Sequence, residues 1–342
     1  MDDSPNDQKT HICFFPFPAH GHTIPMAETA KLLTRKGARV TIITMSTKEE
    51  EPNLGPDIKF LKVRFPSKEV GLPEGVTHFD MLESSPEAIW KFFEGTALLS
   101  LPLEALLEEH KPNCLVVDMF FPWAIDVASK FGVPTVVFVG TSFFSSSATE
   151  CIRLYRPHDG VSSDDEPFVI PNFPGDIRIT KGRLPIWVTQ EMEMSKLLED
   201  GKKAEVWAHG VLVNSFYELE PEYADHFRDV LGRKIWHIGP VNRRIESVHD
   251  ENPCLKWLES KEPNSVVYVS FGTMSSFTSS PLVQIAIGLE NSGFNFIWVV
   301  SRSQSGSEDW LPEGFEERTK GRGLVIRGWV PQVLILEHKA VG

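Results

Sequence analysis

The sequence predicts an α/β protein made of two domains, each with a parallel sheet and covering helices. Apolar strand-like runs alternate with helix-like segments, this alternation occurs twice along the chain, and a polar stretch separates the two series. A chain of 342 residues is also too long for one ordinary core. We therefore expect a first domain at 1–241, a linker at 242–253 and an incomplete second domain at 254–342.

The first series opens with a helix between two strands. His11–Phe17 is a short apolar run before a proline, Ile24–Lys36 carries apolar residues at helical spacing before Gly37, and Arg39–Thr44 is rich in β-branched residues. Such a unit requires parallel strands joined by a right-handed crossover. Further elements are predicted at 86–109 (a helix kinked at Pro102), 114–118 (strand), 124–131 (helix), 135–139 (strand) and 211–214 (strand).

Within the first series, residues 156–182 are rich in Pro, Asp, Ser and Gly, which favours a loop across the surface. The polar stretch at 240–253 has the composition of a linker and separates the second series from the first. Elements of the second series are predicted at 266–271 (strand), 282–291 (helix), 296–300 (strand) and 324–327 (strand). With so few helices, this second sheet is expected to leave one face uncovered. Two such domains joined by a linker form a cleft in which ligands bind.

Composition and charge indicate a cytoplasmic enzyme. The net charge of −13 opposes binding to nucleic acid and to anionic membranes, so a bound nucleotide must be held locally by backbone N–H groups and helix ends. The four cysteines are scattered without paired spacing, which argues for a reducing compartment and against a zinc site. The N-terminal residues are unlike a signal peptide, and no apolar run approaches the roughly 20 residues of a membrane span.

Two titratable residues are predicted at the carboxyl ends of strands, where open parallel sheets bind their ligands. His22 follows the first strand, and Asp118 ends the predicted strand at 114–118. A carboxylate that accepts one imidazole N–H fixes the tautomer, and the other ring nitrogen can then take a proton from an attacking hydroxyl. A surface histidine and a helix-capping aspartate explain the same residues without any catalysis.

Candidate acceptor-binding residues lie near the same strand ends. The aromatic residues Phe120, Phe121 and Phe143 could form the wall of a pocket for a flat apolar molecule, although core packing explains each of them equally well. Thr141 and Ser142 follow the strand at 135–139 and could reach the hydroxyls of a sugar.

In the second series, Ser270–Thr273 is a glycine-containing turn between a strand and a helix. Such a turn lets backbone N–H groups approach a phosphate, and Thr273 adds a hydroxyl, although many turns of this kind bind nothing. Trp329 follows the last predicted strand, where its indole could stack on a base or fill the core.

Five segments together resemble the plant secondary-product UDP-glycosyltransferases, the family 1 glycosyltransferases, in their order and spacing. They are Phe15–Pro25, Leu115–Ala124, Leu212–Glu220, Val267–Thr273 and Trp329–Gln332. The resemblance implies the GT-B fold, in which two Rossmann-like domains face each other. It also implies that His22, rather than His20, is the base and that Asp118 is its partner.

The resemblance assigns the donor site to four residues. By this resemblance, Thr273 would bind the diphosphate and Trp329 would stack on uracil. The backbone of Val330 would meet the edge of the base, and Gln332 would lie near the ribose.

The implied reaction is inverting transfer of glucose, or another hexose, from a UDP-sugar to a hydroxyl of a plant flavonoid, coumarin, phenolic or triterpenoid. The UDP-sugar is a co-substrate, and no metal or other cofactor is needed because backbone dipoles and hydroxyls offset the leaving charge. No nucleic acid or membrane partner is expected, and the complete enzyme is expected to be a monomer.

The chain ends at Gly342, inside the segment that resembles the family's donor-binding box. We therefore expect a truncated protein without useful transfer activity, and the alternative function is that of an inactive fragment that binds the acceptor alone. A nicotinamide oxidoreductase is disfavoured, because His-Gly-His follows the first strand in place of Gly-x-Gly-x-x-Gly.

Overall fold

A computed structural model describes residues 9–45, 57–82, 85–239, 241, 252–272, 277, 279–300, 310–328 and 330–342. The chain divides into two compact units: unit 1 is Met1–Leu82 with Pro86–Asn242, and unit 2 is Arg243–Gly342 with Glu83–Ser85. Each unit contains a parallel sheet and helices, which confirms the predicted α/β class. Most of the predicted linker, 242–251, lies outside the described residues.

Unit 1 is built on seven parallel strands and a small antiparallel pair. Its strands in chain order are β1 His11–Phe15, β2 Arg39–Thr44, β3 Ile58–Lys62, β4 Cys114–Asp118, β5 Thr135–Val139, β6 Pro167–Val169, β7 Arg178–Thr180, β8 Gly210–Val213 and β9 Ile235–His237. The large sheet has the order β3-β2-β1-β4-β5-β8-β9, and β6 pairs with β7. β1 lies between β2 and β4, so the segment that follows β1 emerges beside the end of β4.

Helices cover both faces of the large sheet. They are α1 His20–Arg35, α2 Pro86–Ala97, α3 Ser100–His110, α4 Trp123–Lys130, α5 Phe143–Tyr155, α6 Ile186–Thr189, α7 Glu193–Trp207 and α8 Pro221–Asp225, the last extended by a π-helix at His226–Val230. Phe14 packs with Met26 of α1 on one face. Its neighbour Phe15 belongs to the core that contains Phe92 of α2 and Leu103 of α3 on the other face. None of the described helices is long and apolar enough to cross a membrane.

Two helix predictions in unit 1 differ from the structure in ways that matter for the site or the fold. α1 begins at His20 instead of Ile24, so His22 lies in its first turn and not in a loop. The cause is a cap from a distant segment, because Asp80 accepts the backbone N–H of His20 at 2.9 Å. The single kinked helix at 86–109 is also wrong, since α2 and α3 are separate. Pro102 lies in the first turn of α3, where a missing N–H costs little.

Unit 1 contains several elements that the sequence analysis did not predict, namely β3, β9, α5 and α7. The stretch at 156–182 is also more than a surface loop, because it includes β6 and β7. Phe168 and Ile170 from this stretch are buried against Cys151 of α5 and form a small core of their own.

Unit 2 has three parallel strands, as the sequence predicts. They are β10 Val266–Ser270, β11 Asn295–Val300 and β12 Gly323–Arg327, in that order. Its helices are α9 Pro253–Glu259, α10 Ser279–Ser292, α11 Phe315–Arg318 and α12 Gln332–Leu336. The expectation of an uncovered face is wrong for the described residues. Leu258 of α9 and Ile335 of α12 share a core with Ile297, whereas Phe315 of α11 packs with Trp298 on the opposite face.

A cluster of buried charges joins α5, α7 and the segment after the π-helix. Lys202 Nζ lies 2.6 Å from Glu205 Oε1, and Arg233 Nη2 donates to Glu150 Oε1 at 3.3 Å. Arg233 Nε lies 3.7 Å from Glu205 Oε2, so one guanidinium neutralises carboxylates from two helices. The four side chains are only 1–9% exposed, which makes each charge dependent on its partners.

We expect Arg233→Met to destabilise unit 1 by about 3 kcal/mol, because it leaves two buried carboxylates without their shared partner. Urea unfolding followed by circular dichroism measures the change. Arg228→Met is the control, since that guanidinium is exposed and its ion pairs with Asp225 and Asp229 are open to water. An Arg233→Met protein as stable as the control would show that the buried cluster contributes little.

Candidate active site

The candidate site lies at the carboxyl ends of β1 and β4, which are adjacent parallel strands. Their register pairs Phe15 with Val117, so the residues after these two positions emerge at the same edge of the sheet. Asp118 is the last residue of β4, and His22 lies in the first turn of α1. The sheet thus brings together two residues that are 96 positions apart in the chain.

His22 and Asp118 form a direct hydrogen bond. Nδ1 of His22 lies 2.7 Å from Oδ2 of Asp118, and Asp118 is 1% exposed. The other carboxylate oxygen, Oδ1, accepts the backbone N–H of Phe120 at 3.1 Å. Because a carboxylate only accepts, Nδ1 of His22 carries the proton and Nε2 keeps its lone pair. Nε2 of His22 can therefore accept a proton from a hydroxyl group.

Two opposing effects set the pKa of His22. Burial lowers this pKa, whereas the charge and hydrogen bond of Asp118, together with the charge of Asp80, raise it above the ordinary histidine value. The His22 side chain remains 21% exposed, so a small molecule can reach it.

Two aromatic side chains pack beside His22 and belong to a larger, mostly buried aromatic cluster. The rings of Phe17 and Phe120 have centroids 5.4 Å and 5.2 Å from the imidazole centroid. Phe17 also packs on Phe79 and Phe93, with centroids 5.3 Å and 5.4 Å apart. We call Phe17, Phe79, Phe93 and Phe120 the aromatic wall. Sequence analysis identified only Phe120, because the other three come from separate segments that no local pattern connects.

The other two aromatic candidates occupy core positions. Phe121 is fully buried and packs on Phe15, with ring centroids 4.7 Å apart. Phe143 is fully buried against Phe227, with centroids 5.9 Å apart. The described contacts of both are those of core residues, and their place in an acceptor pocket stays a prediction.

The loop between β5 and α5 contains Thr141 and Ser142. Ser142 Oγ accepts the backbone N–H of Ser145 at 3.1 Å and caps α5. Thr141 is exposed, and its hydroxyl lies 3.2 Å from that of Ser146. Both candidate sugar-binding hydroxyls therefore already contact the first turns of α5, and their contact with a sugar stays a prediction.

Glu220 holds this loop, a role that the sequence analysis missed. Its carboxylate is buried and accepts the backbone N–H groups of Phe143 and Phe144 at 2.9 Å and 2.8 Å, as well as the hydroxyl of Ser215. A negative charge is favourable at this helix N-terminus. The only sequence signal for Glu220 is its place at the end of Leu212–Glu220, one of the segments that carry the family resemblance.

Glu220→Gln is expected to lower the free energy of unfolding by about 1–3 kcal/mol, because an amide offers one acceptor oxygen to three donors and leaves a buried N–H unpaired. Urea unfolding of this variant is compared with that of Glu218→Gln, which changes an exposed glutamate two residues away. Equal stability of the two variants would contradict a structural role for the Glu220 contacts.

A second carboxylate, Asp80, lies at the start of α1. Its Oδ2 accepts from the backbone and from Nδ1 of His20, and it lies 3.1 Å from Nδ1 of His78. Burial raises the pKa of Asp80, but the hydrogen bonds from the two histidines outweigh burial and hold this pKa well below its usual range. Within the described part of the chain, these are the three side chains whose arrangement suits a metal ion.

Unit 2 contains the residues predicted to bind the donor. Thr273 and Trp329 lie outside the described residues. Val330 is buried in the core beneath α9 and α12, and its carbonyl accepts the backbone N–H of Gln332 at 2.8 Å. Gln332 is exposed and is the first residue of α12.

Two glycines follow the outer strands of unit 2. Gly272 comes after β10 with φ of 78°, and Gly328 comes after β12 with φ of 127°. Side chains disfavour this left-handed region, so glycine is needed where these strands turn. Gly272 is the glycine of the predicted turn, whose last residue, Thr273, lies outside the described residues, so the phosphate-binding role of this turn stays a prediction.

Known proteins are similar to this chain over nearly its whole length. No family model matches the chain. UDP-glucose flavonoid 3-O-glucosyltransferase 7 of Fragaria ananassa is 47% identical over 351 residues, which cover 98% of this chain and 72% of that relative. Scopoletin glucosyltransferase of Nicotiana tabacum is 45% identical over 353 residues, which cover 97% of this chain and 74% of that relative.

A solved structure of a plant glycosyltransferase is also similar to this chain over nearly its whole length. UGT73P12 of Glycyrrhiza uralensis, crystallised with glycyrrhetinic acid 3-O-monoglucuronide, matches with a TM-score of 0.87 and 35% identity. The match covers 98% of this chain and 72% of the solved one, so it includes both units.

Proposed function

The chain belongs to the plant family 1 UDP-glycosyltransferases, which have the GT-B fold, and on this premise we propose that it transfers glucose or another hexose from a UDP-sugar to a hydroxyl of a small plant molecule. The hydrogen bond between His22 and buried Asp118 is the observation that carries the proposal. A base fixed in one tautomer beside an apolar surface suits the activation of a phenolic or alcoholic hydroxyl.

In this mechanism His22 is the general base and Asp118 is a positioning residue. The acceptor hydroxyl gives its proton to Nε2 of His22 while its oxygen forms a bond with the anomeric carbon of the sugar. On the opposite face of that carbon, the bond to the UDP oxygen breaks, and UDP leaves with the bonding electrons. The configuration of the sugar is therefore inverted, and Asp118 stabilises the imidazolium that forms.

Phe120, the partly exposed member of the aromatic wall, supports a flat or polycyclic apolar acceptor, because aromatic side chains bind such surfaces with few polar contacts. The named relatives support the same classes: one acts on a flavonoid, one on scopoletin, and the Glycyrrhiza protein was crystallised with a glycyrrhetinic acid glucuronide. We therefore propose a flavonoid, a coumarin, another phenolic or a triterpenoid as the acceptor.

We assign the donor to unit 2. Trp329 would stack on uracil, the backbone of Val330 would meet the edge of the base, and Gln332 would contact the ribose. Thr273 and the glycine turn before it would bind the diphosphate. The exposed side chain of Gln332 and the left-handed turn at Gly272 support this assignment.

The test is a transfer assay with UDP-glucose and a panel of flavonols, coumarins and triterpenes, with products identified by mass spectrometry. Because the chain spans 72% of the Fragaria relative, it is assayed alone and joined to the unmatched part of that relative. The joined protein is expected to give a β-glucoside, since inversion at the α-linked donor gives this anomer, whereas the chain alone is expected to show no useful transfer. An α-glucoside, or no product from either protein, would contradict the proposal.

Binding measurements separate transfer from simple acceptor binding. The chain is titrated with a flavonol and, independently, with UDP. An enzyme of this kind is expected to bind both ligands, whereas a binder of the acceptor responds to the flavonol alone.

A further inference from the structure

His20, His78 and Asp80 bring three metal-ligating side chains together at the start of α1. Their ligand atoms all lie within 4.8 Å of one another. The side chains of His78 and Asp80 are each 11% exposed, and that of His20 is 50% exposed. The two segments are also joined by a hydrogen bond from Phe79 N to Pro18 O at 2.7 Å. The cluster is therefore held by the backbone as well as by its own side chains.

We propose that these three side chains form a binding site for a divalent transition-metal ion, with Zn²⁺ as the probe, although the scattered cysteines argued against a zinc site. Tetrahedral zinc with ligand bonds of about 2.0–2.1 Å places its ligand atoms about 3.3 Å apart. Nδ1 of His78 already lies 3.1 Å from Oδ2 of Asp80. No pair of ligand atoms would have to change its separation by more than about 1.5 Å to reach this geometry.

The ligand set selects the class of ion. Two imidazoles and one carboxylate suit zinc, copper, nickel or iron, whereas magnesium and calcium prefer oxygen ligands. In the hydrogen-bonded cluster both Nδ1 atoms are close to one oxygen of Asp80. A metal ion replaces the protons between these atoms, and each imidazole then carries its proton on Nε2. The exposed side of His20 leaves space for water as a fourth ligand.

The cluster shares a short segment with the aromatic wall. Phe79 lies between His78 and Asp80 in the chain and packs on Phe17, whose ring contacts His22. A bound ion would fix this segment to the start of α1. We therefore expect zinc to stabilise unit 1, since a ligand that binds only the folded state raises its stability. This effect does not depend on the transfer reaction.

The experiment uses the tag-free chain after removal of metal with a chelator. Titration with Zn²⁺ in competition with a coloured indicator is expected to show a single saturable site. Co²⁺ bound in its place is expected to give the visible absorption of a low-coordinate nitrogen and oxygen site. Zn²⁺ is also expected to raise the melting temperature.

Matched variants identify the ligands. His20→Gln, His78→Gln and Asp80→Asn are each expected to weaken zinc binding by at least about tenfold and to remove the rise in melting temperature. His20→Gln changes an exposed side chain and is the variant least disturbing to the fold. His110→Gln changes a histidine at the end of α3 and should bind zinc like the wild type. Wild-type affinity in His20→Gln, or an equal loss in His110→Gln, would overturn the proposal.

Discussion

His22→Ala is expected to reduce kcat/KM for glucose transfer by about 10²- to 10⁴-fold, the range for losing a general base. The bond from Nδ1 to Asp118 leaves Nε2 free, and alanine provides no group to take the proton in its place. Affinity for UDP should be unchanged, because the predicted uridine contacts, Trp329 and Gln332, belong to unit 2. Both quantities are measured in the chain joined to the unmatched part of the Fragaria relative, by initial rates with UDP-glucose and a flavonol and by calorimetric titration with UDP.

The control for this variant is His110→Ala, which removes an imidazole from the end of α3 and should leave the rate unchanged. The comparison with His20 is the more demanding test, since His20 and His22 lie in the same helical turn. If His20→Ala abolished transfer while His22→Ala remained active, the assignment of the base would be wrong.

The central strands of unit 1 can be predicted from sequence because helices bury them on both faces. The predicted limits of β2, β4 and β5 equal the observed ones. Such strands are short continuous apolar runs bounded by turns, so their limits are visible in the sequence. The same pattern placed His22 and Asp118 at the carboxyl ends of strands, and the structure shows that these strands are neighbours and that the two side chains form a hydrogen bond.

Contacts between distant segments leave no comparable pattern. The start of α1 depends on Asp80, which is 60 residues away from His20, and Glu220 reaches Phe143 across 77 residues. Neither carboxylate has a periodicity or spacing in its own segment that indicates its role.

The edge strand β3 was missed for a different reason. Only Ile58 of its five residues is buried, so it lacks a continuous apolar run.

The two oxygens of Asp118 have different donors, and this determines how an amide would sit at the same position. Oδ2 faces Nδ1 of His22, and Oδ1 accepts the backbone N–H of Phe120 at 3.1 Å. An amide has only one acceptor oxygen. If the NH₂ group faced Phe120, it would meet the backbone N–H of Phe120, and two buried donors would face each other. The backbone N–H cannot become an acceptor. The imidazole can move its proton to the other nitrogen, so the NH₂ group is expected to face His22.

Asp118→Asn is therefore expected to preserve the fold but to hold His22 with its proton on Nε2, which removes the acceptor for the substrate proton. We expect kcat to fall by about 10⁴-fold, the effect of the same change behind the catalytic histidine of a serine protease. Nitrogen NMR of isotope-labelled histidine should show the proton on Nδ1 in the wild type and on Nε2 in the variant. Asp126→Asn, which changes an exposed carboxylate in the first turn of α4, should alter neither the rate nor the tautomer. Near-normal turnover in Asp118→Asn, with Nδ1 still protonated, would remove Asp118 from the mechanism.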